Sequence, residues 1–139
     1  MAPPPRNRSM PPGDVLPVLT YPDVPVAAAW LCRAFGFRER LRIGDHRIQL
    51  VHRGGGLVVA QGPGASLAAE HHSVLVAVED ADAHCARAVA AGATLVMVPT
   101  TFPYGERQYS ARDPGGHRWT FSQSVADVDP SAWGGLLVE

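Results

Sequence analysis

The chain is expected to fold as an α+β protein of paired βαβββ modules whose mixed sheets curve around a cleft. Three observations carry that expectation. The order strand, helix, three strands runs through twice. The two helices match in length, with thirteen residues from Asp23 to Gly36 and twelve from Asp80 to Gly92. A Gly/Pro stretch, Gly62-Pro63-Gly64-Ala65-Ser66-Leu67, divides the copies. At 139 residues the chain makes one domain, or two small modules sharing a core, and 46% apolar residues suffice to bury one.

The first module covers residues 14–61. Residues 15–21 read as an apolar strand. Asp23 suits a helix N-cap, and Pro25 falls in the first turn, where its missing N–H is no loss. Ala27, Trp30, Leu31, Ala34 and Phe35 follow helical spacing, with Trp30 packing helix to sheet, and Gly36 stops the helix. Strands over 37–43, 46–52 and 57–61 follow, broken by Gly44-Asp45 and by Arg53-Gly54-Gly55-Gly56. Arg38, Arg40 and Arg42 alternate along the first of them, the pattern of a solvated strand face.

Residues 62–72 link the copies, and 73–123 form the second module. Its opening strand is 73–78. Asp80 caps a helix carrying Ala81, Cys85, Ala88 and Val89 on one side, and Gly92 ends it. Strands over 94–98, 107–112 and 117–123 follow, with 99–105 interrupting the first hairpin of this half. Asp113-Pro114-Gly115-Gly116 makes the last hairpin turn: proline presets φ, and the glycines accept positive φ.

Outside the modules, residues 1–13 are a Pro-rich arm expected to be disordered, without the apolar stretch of a secretory signal, and Met10 is a second possible start. The tail, 124–139, carries Trp133, Leu136, Leu137 and Val138, apolar groups that need cover from this chain or a partner subunit. A net charge of −1 with scattered arginines argues against a nucleic-acid partner. No apolar run approaches the roughly 20 residues that span a bilayer, so no membrane role and a cytoplasmic location are expected. Cys32 and Cys85 lie one on each helix, without metal-knuckle or CxxC spacing, and are expected to be small buried residues.

Histidines give no obvious metal cluster. His46 and His52 are about 20 Å apart on one strand. His71 and His72 read as solvent-facing, His84 as exposed or half-buried on its helix, and His117 as a brace for the turn. No GxSxG or similar nucleophile motif accompanies them. No catalytic residue, metal ligand or cofactor is assigned.

The stretch Leu16-Pro-Val-Leu-Thr-Tyr-Pro-Asp-Val24, followed by Trp30-Leu-Cys-Arg-Ala-Phe-Gly-Phe37, resembles the opening of a subgroup of the vicinal-oxygen-chelate superfamily. That subgroup is the glyoxalase/bleomycin-resistance or PhnB-like one. Val78-Glu-Asp-Ala-Asp-Ala-His84, Ala90-Ala-Gly-Ala93 and residues 104–122 resemble its second half, so the likeness spans 15–123. It implies a two-fold homodimer and, in metal-dependent members, four His, Gln or Glu ligands. Those places fall here on Leu16, Ser73, Thr120 and Val59 or Ala60. None offers imidazole, carboxylate or thiolate. A one-residue slip would bring His72 near one place and leave three unfilled. Metal-dependent isomerase, thiol-transferase or dioxygenase chemistry is therefore not expected.

Side chains alternate along a strand, so Arg118, Thr120 and Ser122 share a face. The resemblance turns Glu106, Gln108 and Ser110 toward the same cleft, with Thr20 beside Leu16 and Val18, and Ser73 beside Leu75 and Ala77. Phe102 and Tyr104 would stand at its mouth, while Trp119 and Phe121 face the core. Together these make an apolar floor ringed by hydroxyl, amide and charged groups, suited to a moderately polar small molecule. Arg118 would take an anionic group and Glu106 a cationic one.

The leading expectation is a metal-independent small-molecule-binding protein resembling drug-sequestering bleomycin-resistance proteins. The alternative is a glyoxalase-like lyase or isomerase, or a dioxygenase-related enzyme, in the same cleft, with Glu106 or His117 as base. A third reading is an interaction module acting through the arm and tail.

Overall fold

The computed structural model describes residues 7–65 and 72–138. The expectations for arm residues 1–6, for linker residues 66–71 with His71, and for Glu139 lie outside the described residues. Two compact units divide the chain, Met1–Gly64 and Ala65–Glu139.

The first unit contains β1 (Val18–Tyr21), α1 (Val24–Phe35), β2 (Arg38–Ile43), β3 (Arg47–His52) and β4 (Gly55–Gln61). The sheet order is β1-β4-β3-β2, with β1 parallel to β4 and the other pairs antiparallel. β1 starts later than the expected residue 15. Pro17 has no N–H to give the ladder, although its carbonyl accepts from Val58 N at 2.9 Å, and Val15 is 89% exposed. α1 begins as its sequence requires: Asp23 Oδ1 accepts from Val26 N at 3.2 Å. It ends at Gly36, whose φ of 85° places it in the left-handed region that glycine tolerates. Trp30, Leu31, Ala34 and Phe35 are buried, as are Ile48, Leu50, Leu57 and Val59 on the strands α1 covers. Trp30 packs edge-on to Phe35, with centroids 4.9 Å apart.

Further expectations change in this unit. Arg38 and Arg42 are exposed, Arg42 pairing with Glu39 at 2.8 Å, but Arg40 is not on a plain solvated face. A register shift between Glu39 and Leu41 turns Arg40 toward Gln49 Oε1 at 2.6 Å and the Arg8 carbonyl at 2.9 Å. Gln49 Nε2 donates in turn to the Ser9 carbonyl at 2.7 Å, so arm residues 8 and 9 are docked rather than disordered. Composition could not show this, because the partners recognise main-chain oxygens rather than side chains.

The second unit contains β5 (Val74–Ala77), α2 (Ala81–Ala90), β6 (Thr94–Phe102), β7 (Glu106–Arg112) and β8 (Arg118–Ser124), then a short 3₁₀ helix, Pro130–Trp133. Its order, β5-β8-β7-β6, repeats the first, again with the opening strand parallel to the last. Asp80 Oδ1 accepts from Ala83 N at 3.0 Å, capping α2 as expected. The expected interruption over 99–105 is smaller than the sequence implied. β6 continues through Pro99 to Phe102, with register shifts from Leu95 to Thr100 that accommodate a residue lacking an N–H. Only 103–105 form the turn. Gly105 is held there by the tail, its carbonyl accepting from Val125 N at 2.8 Å, and a Cβ would run into the Ala126 carbonyl.

Tyr109, Trp119 and Phe121 are fully buried on the face covered by α2. The Phe121 and His84 ring centroids lie 4.3 Å apart, and Tyr109 and Phe121 stack at 5.1 Å. Burial holds the Tyr109 phenol well above its ordinary range, and its hydroxyl shares a hydrogen bond with His84 Nδ1 whose direction follows the imidazole tautomer. His84 is half-buried, within the expected range. Cys85 is buried as expected, but Cys32 is only half-buried; both are free, and burial pushes both thiols up.

The turn between β7 and β8 depends on Asp113, itself 4% exposed. Its Oδ1 accepts from His117 N at 3.0 Å, and its Oδ2 from Trp119 Nε1 at 3.0 Å. Each oxygen therefore secures a different part of the hairpin, His117 taking part through its main-chain N–H. Asp113→Ala should cost about 3 kcal/mol in urea unfolding, because two buried donors lose a charged acceptor. Asp113→Asn should recover only part of that, since its amide offers a single oxygen. Tyr109 makes a second prediction. Above about pH 10 the unfolded chain sheds a phenolic proton that the folded chain keeps, so stability falls as pH rises. Tyr109→Phe should reduce that alkaline slope by one proton, read from unfolding midpoints between about pH 9 and 11.

Candidate functional site

The face of the second sheet turned away from α2 carries the polar residues anticipated from the sequence. Gln108 lies opposite Ser122, Ser110 opposite Thr120, and Arg112 opposite Arg118; on the other side of β8, Leu75 lies opposite Thr120 and Ala77 opposite Ser122. Two-residue alternation separates this set from Tyr109, Ala111, Trp119 and Phe121 on the α2 face.

The polar groups satisfy one another. Ser110 Oγ and Thr120 Oγ1 are 2.9 Å apart. Gln108 Nε2 donates to Ser122 Oγ at 3.3 Å and to Glu106 Oε1 at 3.2 Å, and Ser122 Oγ donates to the same carboxylate oxygen at 2.5 Å. Both donors converge on Oε1, and Oε2 makes no hydrogen bond among the described residues. Ser110 and Ser122 are 2% and 7% exposed. Burial of hydroxyls at that level fixes their rotamers, because an unpaired one costs about 1–3 kcal/mol.

Charge sits at both ends of this ladder. Glu106 stands beside Phe102, its register partner across β6. Six residues along β8 from the partner of Glu106, Arg118 is half-buried, and its guanidinium makes no hydrogen bond or ion pair among the described residues. The two ends are separated by about 20 Å of strand. The arrangement offers an anion acceptor at one end, a cation acceptor at the other, and neutral donors between.

Phe102 and Tyr104 stack with centroids 5.3 Å apart and planes 7° from parallel. Trp133 adds its edge to Tyr104 at 5.6 Å. Trp133 was anticipated only as a tail residue in need of cover. The Asp129-Pro130 pair was the available signal: Asp129 Oδ1 accepts from Ser131 N at 3.0 Å and starts the 3₁₀ helix that presents the indole. Trp133 remains 43% exposed.

Eight of the ten anticipated residues thus share one region of the second unit or border it: Phe102, Tyr104, Glu106, Gln108, Ser110, Arg118, Thr120 and Ser122. Ser73 is exposed and precedes β5 rather than belonging to it. Thr20 belongs to the first unit, where its Oγ1 donates to the Pro63 carbonyl at 2.5 Å. His117, the alternative base, is buried in the turn, its main chain bound to Asp113.

Strand register also corrects the mapping of the family's metal-ligand positions. Leu75 lies opposite Thr120, and the equivalent Val18 lies opposite Val58, not Val59 or Ala60. The four places are Leu16, Val58, Ser73 and Thr120. Two are hydrocarbon and two are hydroxyl, so the donor set does not fit a divalent metal. Among the described residues no group of three or more His, Cys, Asp or Glu side chains could hold a metal ion.

With this geometry in place, the relatives are informative. The family model of the Glyoxalase/Bleomycin resistance protein/Dioxygenase superfamily matches residues 15–121. TioX from Micromonospora sp. ML1 is 39% identical, with a TM-score of 0.64, covering 79% of this chain and 98% of its own. A glyoxalase/bleomycin resistance protein/dioxygenase family enzyme from Burkholderia phytofirmans PsJN is similar at 18% identity and a TM-score of 0.64. The likeness covers 77% of this chain and 94% of that one. The fosfomycin resistance protein FosX from Listeria monocytogenes reaches a TM-score of 0.67 at 16% identity, over 82% of this chain and 92% of that one. The last two establish likeness of fold. No match was found among curated proteins.

The hydroxyl pair gives a direct test of the ladder. Thr120→Val leaves buried Ser110 without its partner and should cost about 1–3 kcal/mol, whereas Ser110→Ala with Thr120→Val should cost much less than the two single changes summed. A double-mutant cycle in urea should return a coupling of about 1 kcal/mol.

Proposed function

The chain belongs to the Glyoxalase/Bleomycin resistance protein/Dioxygenase superfamily, and from that premise we propose that it is a metal-independent binder of a small molecule, sequestering an antibiotic-like ligand. The observation that carries the reading is the pre-satisfied polar face of the second sheet, from Glu106 to Arg118. Binding requires complementary groups held in place before the ligand arrives, and the Glu106–Ser122–Gln108 and Ser110–Thr120 contacts supply that. A strong Lewis acid is not needed for sequestration, which agrees with hydrocarbon and hydroxyl groups at the four metal-ligand places.

The ligand this face suits is elongated and bears opposite charges near its two ends, with an aromatic portion near Phe102, Tyr104 and Trp133. Arg118 meets an anionic group and Glu106 Oε2 a cationic one. FosX is named as a fosfomycin resistance protein; resistance by capture is the corresponding proposal here. We place the working form in the cytoplasm as a homodimer. Leu136, Leu137 and Val138 are the exposed apolar groups that a second subunit would cover. No helix among the described residues is long and apolar enough to cross a membrane.

The available Oε2 of Glu106 favours a second reading, in which the same face performs acid–base chemistry of the lyase or isomerase type. The two readings diverge on Glu106→Gln. Sequestration predicts weaker capture of cationic ligands and no turnover to lose, whereas catalysis predicts that bound substrate persists unchanged.

Metal analysis of the purified protein, with thermal melts in added zinc, nickel, manganese and iron, should find no stoichiometric ion and no stabilisation. A bound stoichiometric ion would overturn metal independence. In a thermal-shift screen of zwitterionic aromatic antibiotics, Arg118→Met should weaken any hit about ten-fold or more, with stability unchanged, as loss of a charge-assisted contact requires. A hit indifferent to Arg118 and Glu106 would place binding elsewhere.

A further inference from the structure

Gln49 is an amide in the middle of an apolar strand. Ile48, Leu50 and Val51 beside it are buried, and Gln49 is itself only 5% exposed. A buried amide must place its hydrogen bonds or lose stability, so its partners indicate what the position is for. Its Nε2 donates to the Ser9 carbonyl at 2.7 Å. Its Oε1 accepts from Arg40 Nη1 at 2.6 Å, and Arg40 Nη2 donates to the Arg8 carbonyl at 2.9 Å. Pro11, two residues further along, is buried beside Gly56. A Cβ on Gly56 would stand 3.6 Å from the proline ring and 2.7 Å from the Leu50 carbonyl oxygen.

These contacts share a chemistry. Arg40 and Gln49 read two consecutive main-chain carbonyls, and the Pro11 ring is buried against the strand at Gly56, whose lack of a side chain is required by the Leu50 carbonyl. The side chain of Ser9 is turned back to Asn7 at 2.6 Å and takes no part. Residues 7–10 form a turn closed by Met10 N donating to the Asn7 carbonyl at 3.2 Å, so the carbonyls read are those of its two central residues. Recognition through turn carbonyls and a following proline rests on backbone shape, so it transfers to other sequences that form the same turn. Within the first sheet Gln49 lies opposite Val58, the place that Ser110 holds opposite Thr120 in the second. The same sheet position is thus ligand-facing in one copy and strap-facing in the other.

We propose that this face of the first sheet is a binding site for short, turn-forming peptides with a proline after the turn, with Arg40 and Gln49 as a two-carbonyl clamp. Residues 8–11 occupy it as an intramolecular strap. The tether gives the strap an effective concentration on the order of millimolar, so a free peptide competes only when the strap is weakened. The site is independent of small-molecule capture by the second sheet.

The test uses the full-length chain. Trypsin cleavage after Arg8, followed by mass spectrometry, reports release of the strap. Gln49→Leu, close in volume and without donors, should be cut about ten-fold faster than the wild type, as expected for loss of a buried hydrogen bond to a fixed carbonyl. A fluorescein-labelled peptide with the sequence of residues 7–13 should then bind Pro11→Gly at least about ten-fold tighter than it binds the wild type, read by anisotropy. Adding Gln49→Leu to Pro11→Gly should abolish that binding. Equal cleavage rates, absence of peptide binding by folded Pro11→Gly, or binding that survives Gln49→Leu would each overturn the proposal. Should Pro11→Gly fail to fold, the cleavage comparison decides, with Arg40→Met as the second variant.

Discussion

The buried Asp113 carboxylate is the contact on which the second unit depends. It sits in a four-residue turn yet binds the start of β8 through His117 N and the core through Trp119 Nε1. A single side chain thereby fixes both where the returning strand begins and which way its residues face. Had β8 slipped by one residue, Thr120 and Ser122 would turn to the α2 side and Trp119 and Phe121 to the open side. The polar ladder therefore inherits its position from a hairpin constraint at the far end of the strand.

That ladder illustrates how buried polarity can specify rather than merely destabilise. Ser110 and Ser122 are nearly inaccessible, and each has a partner within hydrogen-bond distance. Convergence of Ser122 and Gln108 on one oxygen of Glu106 orients the carboxylate and leaves its other oxygen available. Groups ordered in this way lose little conformational freedom when a ligand arrives. The stacked Phe102 and Tyr104, with Trp133 at their edge, add a rigid apolar surface beside a charged one, a combination suited to an amphoteric molecule.

The two copies share a backbone plan but spend their sheet faces differently. In the first, a bulge in β2 re-aims Arg40, and a buried glutamine replaces the serine found at the matching position of the second. Those changes give the chain's own residues 8–11 a fixed place. In the second, hydroxyls and charges are arranged along the face turned away from α2. The two units thus share strand order and register while carrying different side chains at equivalent sheet positions.

Sequence by itself determined the element order, both helix N-caps and the core face of the last strand, because these depend on local rules. Asp23 and Asp80 cap helices through main-chain N–H groups a few residues away, Gly36 tolerates positive φ, and alternation assigns Trp119 and Phe121 to the core. It also made legible most of the candidate site, since Glu106, Gln108, Ser110, Arg118, Thr120 and Ser122 follow from the same alternation together with the resemblance. Tertiary structure alone decided the continuation of β6 through Pro99, the pairing of Val18 with Val58 that makes Val58 rather than Val59 or Ala60 the equivalent of Thr120, the docking of the arm and the addition of Trp133 to the aromatic group. Each depends on contacts between residues distant in sequence, or on a bulge whose position no periodicity announces. A proline predicts a break until a register shift removes the demand for its N–H, and a disordered arm remains the natural reading until Gln49 and Arg40 are seen to hold its carbonyls.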